Sequence, residues 1–327
     1  VRSWKLLIGL CVACASPEEA DDDTAATDSS DTTDTTAQGT GDPSVLVGTF
    51  QVRLVAPSGA AAGYTTVLGK VYDGPTPEAI VWETAATDGD CTLATPRVPY
   101  CATPCGGAAV CVEDDVCEPY PASQTVGTVT LSGVVTDAGD TSFTMDPVAN
   151  TYQKPGGVRL PYPAFAEGDP IRLDTSDTDF NAAFTVSSSG IQPLVVADGE
   201  LVAQSGAGLS LAWTPAGDMD NDPISVKLDL SHHGGSKGMI TCETDDDGAL
   251  ELSATLMGQL LDLGVAGFPT VILSRQATGS TTIDAGRVDL VVSSDVEAPI
   301  TIPGLVSCTD DIECPDGQSC QDDLTCG

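Results

Sequence analysis

Apolar and polar positions alternate along most of the chain after residue 44. Val47–Ala56, Tyr64–Tyr72, Ala79–Thr84, Gly127–Val135, Ala182–Val186, Leu209–Trp213, Ile224–Leu230, Pro269–Arg275 and Arg287–Ser293 either alternate or run β-branched, which is how half-buried strands read. Asp73-Gly-Pro, Asp137-Ala-Gly-Asp140, Asp198-Gly and Asp247-Gly248 fall between them and supply turns. One segment departs from this period. In Ser253–Leu263 the residues Leu256, Met257, Leu260 and Leu261 recur near helical spacing, with Ser253 placed to cap the helix and Gly264 to end it. The pattern predicts an all-β fold of two antiparallel β-sandwich-like modules, 45–150 and 151–306, with one short helix. Lys154-Pro-Gly-Gly157 is the expected joint, and Trp82 and Trp213 are expected in the cores.

The first 44 residues follow another pattern. Arg2 and Lys5 precede an apolar run, Leu6–Val12, that ends in Ala13-Cys14-Ala15-Ser16. A basic start and a short apolar stretch closed by small residues read as a secretory signal, too short to span a bilayer. From Pro17 the chain turns acidic and Thr-rich, with no base between Lys5 and Arg53. Low hydrophobicity and like charge predict a disordered tether over 15–44. Residues 1–14 resemble the signal and lipobox of bacterial lipoproteins, with Ala13 and Val12 before the Cys and Cys11 where Leu is usual. The resemblance implies that Cys14 is the lipid acceptor, that the mature chain meets the membrane through its acyl anchor, and that Ala15-Ser16 favours the outer membrane.

Charge narrows the partners. The 327 residues carry 48 Asp plus Glu against 12 Lys plus Arg, a formal net charge of −36. A nucleic-acid partner is excluded, because phosphate binding needs clustered bases, and electrostatic docking on anionic lipid fails for the same reason. Aromatics at 5% leave the core to Val, Leu, Ile and Ala.

Twelve Cys, less Cys11 and Cys14, leave ten in the body, an even number that in an exported chain implies disulfides. Cys105, Cys111 and Cys117 share their spacing with Cys314, Cys320 and Cys326, and each set has a further Cys upstream, Cys101 or Cys308. These read as two copies of one small knuckle, the first inside an insertion at 91–117 and the second at 307–327. Neither has the two-residue gap of a zinc knuckle. The favoured pairs in the second are Cys308 with Cys320 and Cys314 with Cys326. Cys91 and Cys242 remain for a long-range bridge. Acidic tether, knuckles and strand-rich body together resemble uncharacterised cell-envelope lipoproteins of Gram-negative bacteria, which implies a location and no catalytic residues.

Little else carries chemistry. His232-His-Gly-Gly235 resembles the oxyanion loop of some esterases, and Gly234-Gly-Ser236-Lys-Gly238 fits a nucleophile elbow. One segment cannot be both, an elbow needs a helix after it, and both His precede Ser236. Adjacent His on a strand would face opposite sides and not easily share a metal, so the expected role of this stretch is a Gly-rich turn after a strand. Asp218-Met-Asp220-Asn-Asp222 resembles the start of a calcium loop, with Asp218, Asp220 and Asp222 as candidate Ca2+ ligands and Pro223 where Gly belongs. Asp245-Asp-Asp-Gly248 is a second acidic turn. The sequence therefore predicts a non-catalytic structural or binding module, lipid-anchored at the outer membrane, with no cofactor other than a possible Ca2+. The alternatives are a calcium-dependent adhesion or glycan-binding protein using Tyr100, Tyr120 and Tyr162, and an extracellular hydrolase. Neither a protein nor a glycan partner is specified.

Overall fold

A computed structural model describes residues 39–58, 60–217 and 223–327. The strands are β1 (Leu46–Val55), β2 (Tyr64–Tyr72), β3 (Val81–Asp88), β4 (Cys91–Arg97), β5 (Ala109–Glu113), β6 (Val116–Pro119), β7 (Ser123–Gln124), β8 (Val129–Ser132), β9 (Ser142–Met145) and β10 (Thr151–Gln153). They continue with β11 (Pro170–Thr175), β12 (Thr185–Ser189), β13 (Leu201–Val202), β14 (Leu209–Ala212), β15 (Ile224–Asp229), β16 (Met239–Thr244), β17 (Ala249–Leu252), β18 (Thr270–Ile283) and β19 (Gly286–Thr301). The protein is all-β, with α1 (Ala254–Asp262) as the one α-helix among the described residues. Ser253 accepts a hydrogen bond from Leu256 N, and Leu256, Met257 and Leu260 are buried. The capped helix over 253–263 is thus as its spacing predicts.

One sheet runs β10-β2-β1-β19-β18-β15-β16-β4-β3. Its ladders are antiparallel except for β1 with β19 and β13 with β19, which are parallel. Alternation sets the faces: along β1, Phe50, Val52 and Leu54 point inward and are fully buried or nearly so. Gly69 lies opposite Phe50, and a side chain there would collide with the Phe50 ring. The Phe50 ring packs instead at 5.4 Å from Tyr152.

The long β18–β19 hairpin is shared by two cores. Its outer half gives Ala277, Ile283, Val288, Leu290 and Val292 to a core completed by β1, β2, β10 and the second sheet β12-β11-β8-β9. Its inner half gives Val271, Leu273 and Ile300 to a core completed by β4, β15, β16, the β14–β17 pair and α1. Odd positions of β18 and even positions of β19 are used in both, so both cores lie on one face of the hairpin.

Arg275 and Ser294 are register partners where the two cores meet. Arg275 has 0% exposure. Its guanidinium donates to Asp246 Oδ2 from Nε at 2.7 Å, to Asp246 Oδ1 at 2.9 Å and to Thr214 O at 2.7 Å. It also reaches the carbonyls of Gln192 and Pro193, while Leu194 N donates to Ser294 Oγ at 2.9 Å. Asp246 also accepts from Trp213 Nε1 at 2.8 Å. A charge this deep is tolerable only when paired and hydrogen-bonded, and this one is both.

These facts revise the expected organisation. Residues of 45–150 and 151–306 do not form consecutive modules. β1 and β2 share a core with the far end of the chain, and β4 pairs with β16. The chain crosses between the cores several times, once at Gln192–Leu194, and Lys154-Pro-Gly-Gly157 is a surface turn instead of a joint. The insertion expected from Cys91 begins later, because Cys91–Arg97 is a strand of the main sheet. Trp213 is in the core as expected, but Trp82 is only half-buried, on the edge strand β3. Residues 1–38, including Cys14, lie outside the described residues. The last part of the expected tether, 39–44, is fastened to the hairpin tip: Gly39 N donates to Thr282 O at 2.9 Å and Thr40 N to Asp284 Oδ1 at 3.0 Å.

Candidate functional site

Among the described residues the ten cysteines form five disulfides: Cys91–Cys242, Cys101–Cys111, Cys105–Cys117, Cys308–Cys320 and Cys314–Cys326. Cys91 and Cys242 are cross-strand partners of β4 and β16. Both knuckles pair first with third and second with fourth, so the two copies share one topology. In each, the third and fourth cysteines face one another across a hairpin, Cys111 with Cys117 and Cys320 with Cys326. The residue two before the last cysteine has left-handed backbone in both, Asp115 at φ 62° and Leu324 at φ 61°. Three sulfurs in each knuckle lie within 4.8 Å of one another, as two stacked disulfides bring about.

Their settings differ. In the second knuckle Cys308 is buried, Gly267 N donates to Asp323 O at 2.7 Å, and Ser307 Oγ donates to Gly267 O at 2.5 Å. Gly234 permits this fit, since a side chain on it would strike the backbone of Gly267 and Asp323. The first knuckle keeps its hydrogen bonds to itself: Asp114 and Asp115 carboxylates accept from Tyr100 N and Ala102 N, and Asp115 N donates to Tyr100 O. Its side-chain link to the body is the exposed pair of Arg97 and Asp114 at 3.5 Å. Val98, Tyr100 and Tyr120 are 72%, 73% and 51% exposed. Acids Glu113, Asp114, Asp115 and Glu118 surround them in sequence, with no base between Arg97 and Lys154.

Of the three tyrosines proposed for glycan contact, Tyr100 and Tyr120 are thus on the free knuckle. Tyr162 is not with them: it packs against the first core, where burial raises its phenol pKa.

The remaining sequence motifs resolve into structure. Ser236 is exposed and is followed by strand β16, not by the helix an elbow needs. His232 and His233 sit in a Gly-rich turn after β15, as expected, and their ring centroids are 3.9 Å apart. The second acidic turn is a structural device, because Asp246 belongs to the Arg275 junction and Asp247 accepts from Ala249 N. Asp218, Asp220 and Asp222 lie outside the described residues. Flanking them, Gly217 N donates to Glu167 Oε1 at 3.0 Å and β15 begins at Ile224. Arg275 itself had a signal in the sequence: an Arg at an inward position of the run Val271–Arg275 can only be buried if an acid meets it.

Among the described residues, no helix is long and apolar enough to cross a membrane. No protein-family model matches the chain, and no curated protein does. Among solved structures, the chain is similar to the crystal structure of the chicken CNTN1 FN1-FN3 domains at 12% identity, over 75% of this chain and 70% of that one. The TM-score of 0.18 is too low for that likeness to carry an argument.

Proposed function

We propose that the protein is a lipid-anchored envelope protein of the outer membrane that acts as a non-catalytic binding module, with the first knuckle as its contact surface. One observation carries this reading. Two knuckles of the same topology occur: the second is fastened to the body through Cys308, Ser307 and Asp323 although Ile312 stays exposed, and the first keeps Val98, Tyr100 and Tyr120 in solvent without such a fastening. Large apolar side chains clustered on an exposed element are unusual unless something covers them, and Tyr is favoured at interfaces because one side chain offers both an apolar face and a polar tip. The anchor is tested by fractionation. Cys14→Ser is expected to move the chain from membranes to the soluble fraction, and membrane retention of that variant overturns the anchor. Display is tested by labelling intact cells with an antibody raised to residues 98–120, which is expected to bind without permeabilisation.

Glycan binding is a second reading, favoured by the exposure of Tyr100 and Tyr120 together. A glycan array probed with the full chain and with Tyr100→Ala separates it from protein binding.

A further inference from the structure

Strands β1, β2 and β10 turn Phe50, Val67 and Tyr152 into the first core, so their alternate residues form the opposite face of the sheet. On that face Thr49 stands opposite Lys70, Gln51 opposite Leu68 and Arg53 opposite Thr66. Gln153 of β10 lies on the other side of Leu68. Two grooves follow these rungs. One, about 510 Å³, holds Thr49, Lys70 and Tyr72 against Pro75, Thr76 and Glu78. The other, about 480 Å³, holds Gln51, Arg53, Leu68 and Gln153 against Lys154 and Gly156 of the surface turn. They meet between consecutive rungs, Thr49–Lys70 and Gln51–Leu68, and form one trough along β1 and β2.

The charge of this trough is the reverse of the chain's. Acids outnumber bases 48 to 12 over the whole sequence, yet the two grooves are lined by three bases, Arg53, Lys70 and Lys154, and one acid, Glu78. These bases are lightly used. Asp295 is the only described residue that pairs with Arg53, at 2.8 Å from Nε, and the Arg53 side chain is 49% exposed. Lys154 Nζ donates to Val158 O at 2.8 Å, and Lys70 Nζ lies 5.1 Å from the centroid of the Tyr72 ring. A guanidinium has five donors and an ammonium three, so each base retains donors for a ligand.

We propose that this trough binds an acidic oligosaccharide, one whose sugars carry carboxylate groups. Arg53 and Lys154 at one end and Lys70 at the other stand roughly 13 Å apart at about 3.3 Å per strand residue, and each end takes a carboxylate. The planar guanidinium matches that group with two parallel hydrogen bonds. Between the ends, Gln51, Gln153, Thr49 and Thr66 offer amides and hydroxyls that both donate and accept, as sugar hydroxyls require. Leu68, 53% exposed, gives an apolar floor for the C–H face of a ring. An acidic polypeptide fits less well. Peptides bind sheets by adding a strand at an open edge, whereas β1 has β2 and β19 on its two sides and presents side chains instead of backbone. The rest of the chain repels anions at a distance. That disfavours nucleic acid and polyphosphate, and leaves a ligand whose charges are spaced by neutral groups. The trough is separate from the first knuckle and does not depend on that knuckle's role.

The test is calorimetric titration of the full chain, in calcium-free buffer, with oligogalacturonate, oligoalginate and hyaluronan fragments in turn. Saturable binding of at least one is expected, and none of the same sugar after its carboxyls are reduced to alcohols. Arg53→Gln and Lys154→Gln are each expected to weaken binding about tenfold, the worth of one charge-assisted hydrogen bond. Lys227→Gln removes an exposed base elsewhere on the sheet and is expected to leave the affinity unchanged. Circular dichroism of all variants is expected to match the parent; the Lys154 side chain bonds one backbone carbonyl, so its variant reads the site even if Arg53→Gln fails to fold. Failure of the parent to bind any of these sugars, equal binding of the reduced sugar, an equal loss in Lys227→Gln, parent affinity in Lys154→Gln, or tighter binding of polyglutamate overturns the proposal.

Discussion

The first knuckle, Cys101–Cys117, and the second, Cys308–Cys326, have the same disulfide topology and the same left-handed residue two before the last cysteine, yet only the second is part of the body. The difference lies outside the cysteines. The second copy meets a surface cleared for it by Gly234 and Gly267, and it offers Ser307 Oγ and Asp323 O as complementary groups. At the position matching Ser307 the first copy has Tyr100, which has no short hydroxyl to offer, whereas the position matching Asp323 is again an Asp, Asp114. Disulfides give a small element its shape without a core of its own. What the element does with its surface is then decided by a few residues between the cysteines.

The contrast can be broken experimentally. Replacing Cys314 and Cys326 by Ser is expected to cost the whole fold about 2–4 kcal/mol, seen as a lower midpoint in denaturant, because that knuckle is hydrogen-bonded to the turn at Gly267. Gly234→Ala is expected to cost about 1–3 kcal/mol, as overpacking does. The same measurement on Cys105→Ser with Cys117→Ser is expected to move the midpoint by less than about 1 kcal/mol, since local opening of a detached element leaves the cores intact. A loss equal to that of the second knuckle would show that the first is docked after all.

Smaller effects sharpen the comparison. Leu324→Gly is expected to stabilise the second knuckle by up to about 1 kcal/mol by relieving the left-handed backbone, whereas Asp115→Asn is expected to change little, both residues tolerating that region. Hydrogen exchange of the knuckle amides distinguishes the two. Acid gives the smallest effect. Thr309 donates to Glu313 from its backbone and its hydroxyl, and this lowers the Glu313 pKa. A carboxyl depressed in the folded state contributes stability above its unfolded pKa, and the contribution is lost as pH falls through the folded value. The protection of the Thr309 amide, measured against its intrinsic exchange rate at each pH, should therefore fall selectively in acid below the ordinary glutamate range, and Glu313→Gln should remove that response.

Much of this was legible in the chain. Tyr64–Tyr72 matches β2 residue for residue, and the favoured interlaced pairs Cys308–Cys320 and Cys314–Cys326 occur, although spacing alone left three pairings open. What failed to show has physical reasons. The outer half of β18, Gln276–Ile283, is rich in Thr, Ser and Gly and gives no apolar alternation, so half of the shared hairpin was invisible. The parallel pairing of β1 with β19 joins residues about 240 positions apart, and no local pattern encodes it. Without that pairing the two cores looked like consecutive modules. The Gly-rich turn expected after the strand Ile224–Leu230 is where the histidines lie: β15 stops at Asp229, and His233 turns left-handed.

The parallel contact between β1 and β19 has a mechanical consequence. Strand β1 enters the sheet beside the hairpin tip and runs along β19 from Leu46–Arg287 to Leu54–Ser294. A load applied at Val45 and resisted at the far end of the hairpin draws β1 lengthwise past its neighbour. All hydrogen bonds of that ladder then share the force at once, rather than parting one by one as in a peeled hairpin. Pulling between these two points should therefore meet a high rupture force.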